Sequence, residues 1–327
     1  MSRGRAVILH SAVPAGAPKD ELDVLDEVAV VRRALEGLGY EALPLPFVLN
    51  IEAMADTLRE LRPLFVFNLV ETVCGQGQLI PLAPIMLDYL RIPYTGCPKD
   101  AIYLTSNKVL AKRLMHVRGV ATPPWVDAGG RTGKGSGLKG AWLIKSVWEH
   151  ASIGLREESV LRDPTDDEIL RALRERYDDE GQEYFAEQYI DGREFNLSLL
   201  AGEVLPVPEI RFLDYPADKL KMVDYRAKWE EETFEYQHTQ RTFAAAEADQ
   251  PLLLRLSEIA RDCWGIFELR GYARVDFRID ALGQPWVLEI NSNPGIAPDS
   301  GYWAACERAG LPFERVVERI IADSLDR

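Results

Sequence analysis

From Gly271 to Asn291 the chain alternates apolar and polar residues with period two on either side of Leu282-Gly283. That pattern is the signature of two strands joined by a tight turn. A two-residue turn at Leu282-Gly283 sets Asp276 opposite Glu289 and Arg274 opposite Asn291. The same register stacks Val275 on Ile290, Phe277 on Leu288 and Ile279 on Trp286, an apolar set suited to a core, so the hydrophobic pattern supports the parity. The hairpin therefore has one face for a core and one polar face carrying opposed carboxylates.

Two readings of the polar face stand. It is either solvated, with Arg274 and Arg278 neutralising the acids, or it holds a ligand. Carboxylates directly opposed across strands repel unless a cation lies between them. Converging Asp, Glu and Asn oxygens suit Mg²⁺, a hard ion that keeps waters and phosphate oxygens as its other ligands. The continuation Asn291-Ser292-Asn293-Pro294-Gly295 is a polar, turn-rich exit where residues are presented to a ligand, and it favours metal plus phosphate. Phosphate needs cations, and Lys108, Lys145 and Lys228 are the candidates. Lys145 ends the apolar run Ala141 to Ile144, a poor place for a lysine without an anionic partner. Just beyond it, Glu149 to Gly154 is a small-residue loop whose backbone amides suit phosphate oxygens.

Charge bears directly on that reading. With Lys+Arg 38 against Asp+Glu 52, the 327 residues carry a formal charge of -14. Nucleic acid is excluded as a partner, because phosphate backbones need a basic footprint. A nucleotide stays admissible if the lysines gather at one site and the anion arrives as its metal complex. Cys74, Cys97, Cys263 and Cys306 are scattered without a C-x-x-C, which points to neither disulfides nor zinc. The opening apolar run, Ala6 to Leu9, is too short for a signal peptide or membrane span, so the expectation is a cytoplasmic protein with no membrane partner. The four histidines form no ligand cluster.

Organisation follows from periodicity. Ala6 to Leu9 reads as a buried strand, Asp20 to Leu38 as a helix stopped by Gly39, a strand lies around Leu43, a helix runs from Asn50 to Leu61, and a strand from Leu64 to Phe67. Such alternation predicts a parallel sheet covered by helices. A helical stretch after Pro81 leads to the turn Ile92 to Gly96, ending a first unit over 1–98. A second unit, 99–185, opens with a helix capped by Ser106 and ending at Gly119. It continues through a glycine-rich stretch from Gly129 to Gly137 to a strand at Ala141 to Ser146. The third unit, 186–327, is strand-rich, with runs around Tyr184 to Ile190, Glu194 to Leu200 and Val204 to Ile210 before the hairpin. Gly135-x-Gly137-x-x-Gly140 matches a dinucleotide fingerprint in letters only, since a strand follows it where a helix is required. Lys134 likewise lacks the Ser or Thr that a phosphate-loop lysine needs next to it.

These residues resemble the ATP-grasp ligases, and within them the D-alanine:D-alanine ligase branch. The matching segments are Ile92 to Lys108, Lys145 to Gly154, Glu187 to Glu194, Asp224 to Trp229 and Arg274 to Gly295. Arg-x-Asp followed by Glu-x-Asn-x-x-Pro-Gly is the specific part. The resemblance implies an α/β (α+β) ATP-grasp fold of three domains, with ATP clasped between the central and C-terminal ones. It implies that Lys108 and Lys145 contact the ATP phosphates and Ser152 lies in the loop covering them. Glu187, Gln188 and Ile190 would hold adenine, Glu194 the ribose, and Lys228 the γ-phosphate. Asp276, Glu289 and Asn291 would ligate two Mg²⁺ ions, with Mn²⁺ an acceptable substitute. Arg274 would stabilise the oxyanion, and Gly295 and Ser300 would hold substrate. The implied reaction phosphorylates a carboxylate, lets an amine attack the acyl phosphate, and releases ADP and phosphate, by positioning and charge neutralisation. Related ligases are dimers, which implies a homodimer.

The departures concern the substrate. Members specific for D-alanine carry a serine where this chain has Ala151 and a tyrosine where it has Trp229. They also carry a glutamate in the first glycine-rich loop, here Ser11 to Gly16. Phe67 to Glu71 replaces a histidine-containing loop, and Asp299 precedes Ser300 where a histidine is usual. The expectation is a ligase for small carboxylate and amine substrates other than cell-wall D-alanine. The alternative is a catalytically inactive or regulatory ATP-binding relative, against which the retained Arg274 argues. A nicotinamide dehydrogenase is a more distant third.

Overall fold

The computed structural model describes residues 3–14, 16–130, 132–133, 139–148 and 159–325. It opens with β1 (Arg5–Ser11), α1 (Lys19–Gly37), β2 (Glu41–Phe47), α2 (Ile51–Leu61) and β3 (Phe65–Leu69), the expected alternation. The three strands are parallel in the order β2-β1-β3. Ala6, Val7, Ile8 and Leu9 are fully buried, as a strand covered on both faces must be. Asn50 starts α2 by accepting from the Ala53 amide at 3.2 Å. After α3 (Leu82–Leu90) come two helices where one was expected, α4 (Lys99–Ser106) and α5 (Lys108–Val117). Ser106 ends the first. Asn107 leaves the helical conformation and its side chain accepts from the Leu110 amide at 2.9 Å, so the cap falls one residue later than the sequence suggests.

The middle of the chain forms β4 (Trp125–Asp127), β5 (Thr132–Gly133), β6 (Ala141–Ser146), β7 (Val160–Arg162), α6 (Asp166–Glu180) and β8 (Tyr184–Gln188). They make an antiparallel sheet in the order β5-β4-β8-β6-β7. A reciprocal cap between Thr165 and Glu168 starts α6, whose Ile169 and Leu173 pack on Trp142, Ile144 and Tyr184.

The rest comprises β9 (Arg193–Leu200), β10 (Glu203–Val204), β11 (Glu209–Phe212), α7 (Tyr225–Trp229), α8 (Phe234–His238), β12 (Thr239–Thr242), α9 (Gln250–Ile266), β13 (Tyr272–Ile279), β14 (Pro285–Ser292), α10 (Gly301–Arg308) and α11 (Phe313–Leu325). Its sheet runs β12-β11-β9-β13-β14, with β10 pairing β9. The single strand expected over Val204 to Ile210 is split, because Pro206 and Pro208 offer no amide to a ladder.

The hairpin keeps the expected pairs Asp276 with Glu289, Arg274 with Asn291 and Val275 with Ile290. Beyond Asp276 the register slips. Phe277 pairs with Val287 and Ile279 with Pro285, so Leu288 is bulged out of the core face it was expected to share. The turn is the cause. The Asp280 carboxylate accepts from the Leu282 and Gln284 amides and from Trp286 Nε1, each at 2.9 Å, which holds a longer loop than Leu282-Gly283 alone would make. One apolar core joins the N-terminal sheet to the C-terminal helices, packing Ala6, Ile8 and Phe67 with Tyr302, Val316 and Ile320.

Candidate active site

A cavity of about 740 Å³ lies between the two antiparallel sheets. Leu143 and Lys145 of β6 and Glu187 and Gln188 of β8 form one wall. Glu194 and Asn196 of β9, Arg274, Asp276 and Arg278 of β13, and Leu288, Glu289 and Asn291 of β14 form the other. Lys108 at the start of α5, Lys228 and Trp229 of α7, Ile190, Gly295 and Ser300 complete the lining. Every described residue singled out for a site thus faces one cavity. Ser152 lies outside the described residues, as do Lys134, Ala151 and the whole loop Glu149 to Gly154.

The hairpin supplies the acids. Arg274 grips Asp276 bidentately, Nε to Oδ1 and Nη2 to Oδ2 both at 2.8 Å. Asn291 Nδ2 reaches Asp276 Oδ2 at 3.1 Å and Glu289 Oε1 at 3.4 Å, tying the three oxygen-bearing side chains together. Burial would raise the Glu289 carboxyl, but Lys108, Lys228, Lys145 and Arg274 hold it far below the usual range. Burial lowers Lys228 against the pull of Glu289. Lys145 and Arg274 are shared with Glu187 and Asp276, so acids and cations interleave on these walls. Two carboxylates and the Asn291 amide, with lysines beside them, fit Mg²⁺ carrying phosphate oxygens.

The far wall holds Glu187, 2 % exposed, between two lysines: Lys112 Nζ lies 2.5 Å from one oxygen and Lys145 Nζ 2.5 Å from the other. Burial alone would raise Glu187, and the two ammoniums reverse this. Lys112 was not anticipated from sequence. It is fully buried one turn after Lys108, bonded also to Thr122 Oγ1 at 2.7 Å. Its spacing of four from Lys108, inside the apolar set Val109, Ala111 and Met115, was the available signal. Glu194 pairs with Arg278 Nη2 at 2.7 Å, itself almost fully buried. Gln188 donates from Nε2 to the Lys139 carbonyl at 3.0 Å and from its amide to the Pro124 carbonyl at 2.9 Å.

Ser300 caps α10 by accepting from the Trp303 amide at 3.1 Å, and Asp299, Arg241 and Trp229 also line the cavity. Ser11 Oγ accepts from the Glu71 and Thr72 amides, each at 3.0 Å. A glutamate does reach the cavity here, but from the first turns of α1, as Glu21, and not from the loop before it. Three further acids, Asp23, Glu27 and Glu71, also escaped the sequence reading. They sit around Gly295, and Glu27 Oε1 accepts from the Ile296 amide at 2.8 Å.

Comparison with known proteins identifies the family. Residues 139–322 match the family model described as D-ala D-ala ligase C-terminus. The D-alanine:D-alanine ligase of Moorella thermoacetica is 29% identical over 333 residues, covering 96% of this chain and 99% of that one. Protein y4sG of Sinorhizobium fredii is 32% identical, covering 78% of this chain and 73% of its own. Among solved structures, the Bacillus anthracis D-alanine:D-alanine ligase complexed with ATP superposes with a TM-score of 0.74 at 20% identity, covering 99% of this chain and 98% of that one. On the family model, the shared fold and the residues gathered in the cavity, the chain belongs to the D-alanine:D-alanine ligase family, with the ATP-grasp fold.

Proposed function

We propose that the chain is an ATP-dependent ligase that joins the carboxylate of one small amino-acid-like substrate to the amine of another, with a selectivity other than that for D-alanine. Membership of the family supports C–N bond formation. The observation that carries the reading is the meeting in one cavity of Lys108, Lys145, Lys228 and Arg274 with Asp276, Glu289 and Asn291. We read the three sheets as three domains, with boundaries near residue 98 and just after Gln188, because β8 keeps residues 186–188 in the middle sheet rather than in the third unit expected from residue 186.

In this reading Lys108 and Lys145 hold the ATP phosphates, the Gln188 to Ile190 segment takes adenine, Glu194 the ribose, and Lys228 the γ-phosphate. Glu187 positions Lys145 rather than meeting adenine itself, since both its oxygens are engaged by lysines. Asp276, Glu289 and Asn291 would hold Mg²⁺, which when bound neutralises phosphate charge. The substrate carboxylate attacks the γ-phosphorus, ADP leaves, and the amine then attacks the acyl phosphate and expels phosphate. Arg274 and the Gly295 amide stabilise the oxyanion that develops in that second step. Ser300 orients the amine-bearing substrate. Trp229 and the acids of α1 set the altered selectivity.

ADP release measured over paired D- and L-amino acids and hydroxy acids tests this. Turnover is expected with particular pairs only, and its disappearance in Asp276→Asn. Thermal stabilisation by ATP with no ADP formed under any pair would replace the ligase with a nucleotide-binding relative.

A further inference from the structure

Asp23, Glu27 and Glu71 converge. A methyl carbon placed on Gly295 would lie 3.0 Å from Glu27 Oε1, 3.8 Å from Glu71 Oε1 and 4.0 Å from Asp23 Oδ2. Asp23 and Glu27 stand one turn apart on α1, while Glu71 enters after β3, so sheet topology and not sequence brings them together. Asp23, Glu71 and Gly295 line the cavity, and Glu27 lies behind them at 1% exposure. Glu27 Oε2 is buried and bonded to nothing among the described residues. No lysine or arginine among those residues pairs with any of the three.

An uncompensated buried carboxylate is one of the costliest groups a fold can keep. Glu27 is moreover placed among Val24, Val28 and Val31 on the apolar face of its helix. The lysines and Arg274 gathered about Glu289 line the same cavity, so a ligand there meets charge of both signs.

We propose that this acidic cluster is a binding site for a basic side chain, an ammonium or guanidinium borne by one of the two substrates, seated against Asp23 and Glu71 with Glu27 behind them. Either group supplies several N–H donors to several carboxylate oxygens, which is what the convergence offers. The inference rests on the ligase reading only for calling that ligand a substrate. Burial, with repulsion from Asp299 and Asp26, pushes Asp23 up to about 6; burial and Asp23 push Glu71 up to about 7; burial, with Glu71 and Asp23, raises Glu27 well above the usual carboxylate range. Arg241 faces Asp299 rather than these three.

Isothermal titration of the full chain, with Mg²⁺ and a non-hydrolysable ATP analogue present, tests the site without turnover. The ligands are D- and L-lysine and arginine against their uncharged counterparts norleucine and citrulline. The charged member of at least one pair is expected to bind about tenfold or more tightly. It should also release protons near pH 6.5, since a cation drives the raised carboxyls to ionise. Asp23→Asn and Glu71→Gln should each reduce the preference. Equal binding within each pair overturns the proposal, as does a preference that survives both substitutions. Turnover of neutral pairs without charge preference would remove the cation site and leave the ligase. Charge-selective binding with no ADP formed under any pair would do the reverse.

Discussion

Glu187 is one carboxylate serving two lysines, and that ratio decides what each residue does. Burial lowers Lys112 despite Glu187, whereas for Lys145 burial is outweighed by Glu187 together with Glu289 and Glu194, which raise it. Removing the partner of a buried charge costs about 3–5 kcal/mol. Glu187→Gln leaves both lysines without their carboxylate and is expected to lower unfolding stability by about that much, whereas Lys112→Met leaves Glu187 paired with Lys145 and should cost about 2 kcal/mol. In the double variant Lys112→Met/Glu187→Gln the losses should not add, with a coupling of about 1–3 kcal/mol in urea titrations. Independent, additive losses would show that the pair does not act as a unit. Glu71 gives the opposite sign. Its folded value, about 7, lies above that of the unfolded chain, so the native state binds more protons between roughly pH 4.5 and 7 and stability falls as pH rises through that window. Glu71→Gln should raise Tm above pH 7 and change little at pH 4.5, by calorimetry without ligand; a gain that is the same at both pH values contradicts the assignment. Of the site residues, Lys145 was legible because it ends an apolar run and the hairpin acids because they share one face of an alternating pattern, whereas Lys112 was passed over. Glu71 was not legible, since its partners are 44 and 48 residues away in sequence and only the parallel sheet brings them close.

The β13–β14 hairpin shows what periodicity can and cannot say about an element. Alternation established which residues share a face, and the pairs nearest the carboxylates are as the pattern requires. Turn length was illegible, because the hydrogen bonds that set it come from the Asp280 side chain and end on Trp286, outside any two-residue rule. The resulting bulge exchanges roles between neighbours: Val287 is buried in the core at 1% exposure, and Leu288 lines the cavity. Val287→Ala should cost about 2 kcal/mol of stability with little change in nucleotide affinity. Leu288→Ala should cost less stability and raise the KM for ATP several-fold. Thermal unfolding and steady-state kinetics separate the two, and the reverse assignment of effects would mean that the simple register holds in solution.

At the scale of the molecule, the net charge of -14 hides an uneven charge distribution within a single cavity, with cations gathered about Glu289 and, about Gly295, acids that no lysine or arginine among the described residues pairs. Keeping the two groups in register depends on how the N-terminal unit meets the hairpin exit. The join is made by backbone at close quarters. Gly96 donates its amide to Ser324 Oγ at 2.9 Å, and the next amide, of Cys97, donates to Asn293 Oδ1 at 2.8 Å. Gly96 has φ +85°, and a side-chain carbon there would stand 2.4 Å from Asn293 Oδ1. Gly16 offers a control within the same chain, with φ +80° and nothing within 4 Å of an added carbon. Both alanine substitutions bear the cost of the left-handed conformation, roughly 1 kcal/mol. Only Gly96→Ala adds a collision, worth about 1–3 kcal/mol more. It also displaces Asn293, two residues from Asn291. Gly96→Ala should therefore unfold at lower temperature than Gly16→Ala and lose ATP-dependent turnover, which Gly16→Ala retains. Equal melting temperatures and equal turnover would show that the two units meet less closely than 2.4 Å demands, and that the hairpin exit holds its place without the glycine.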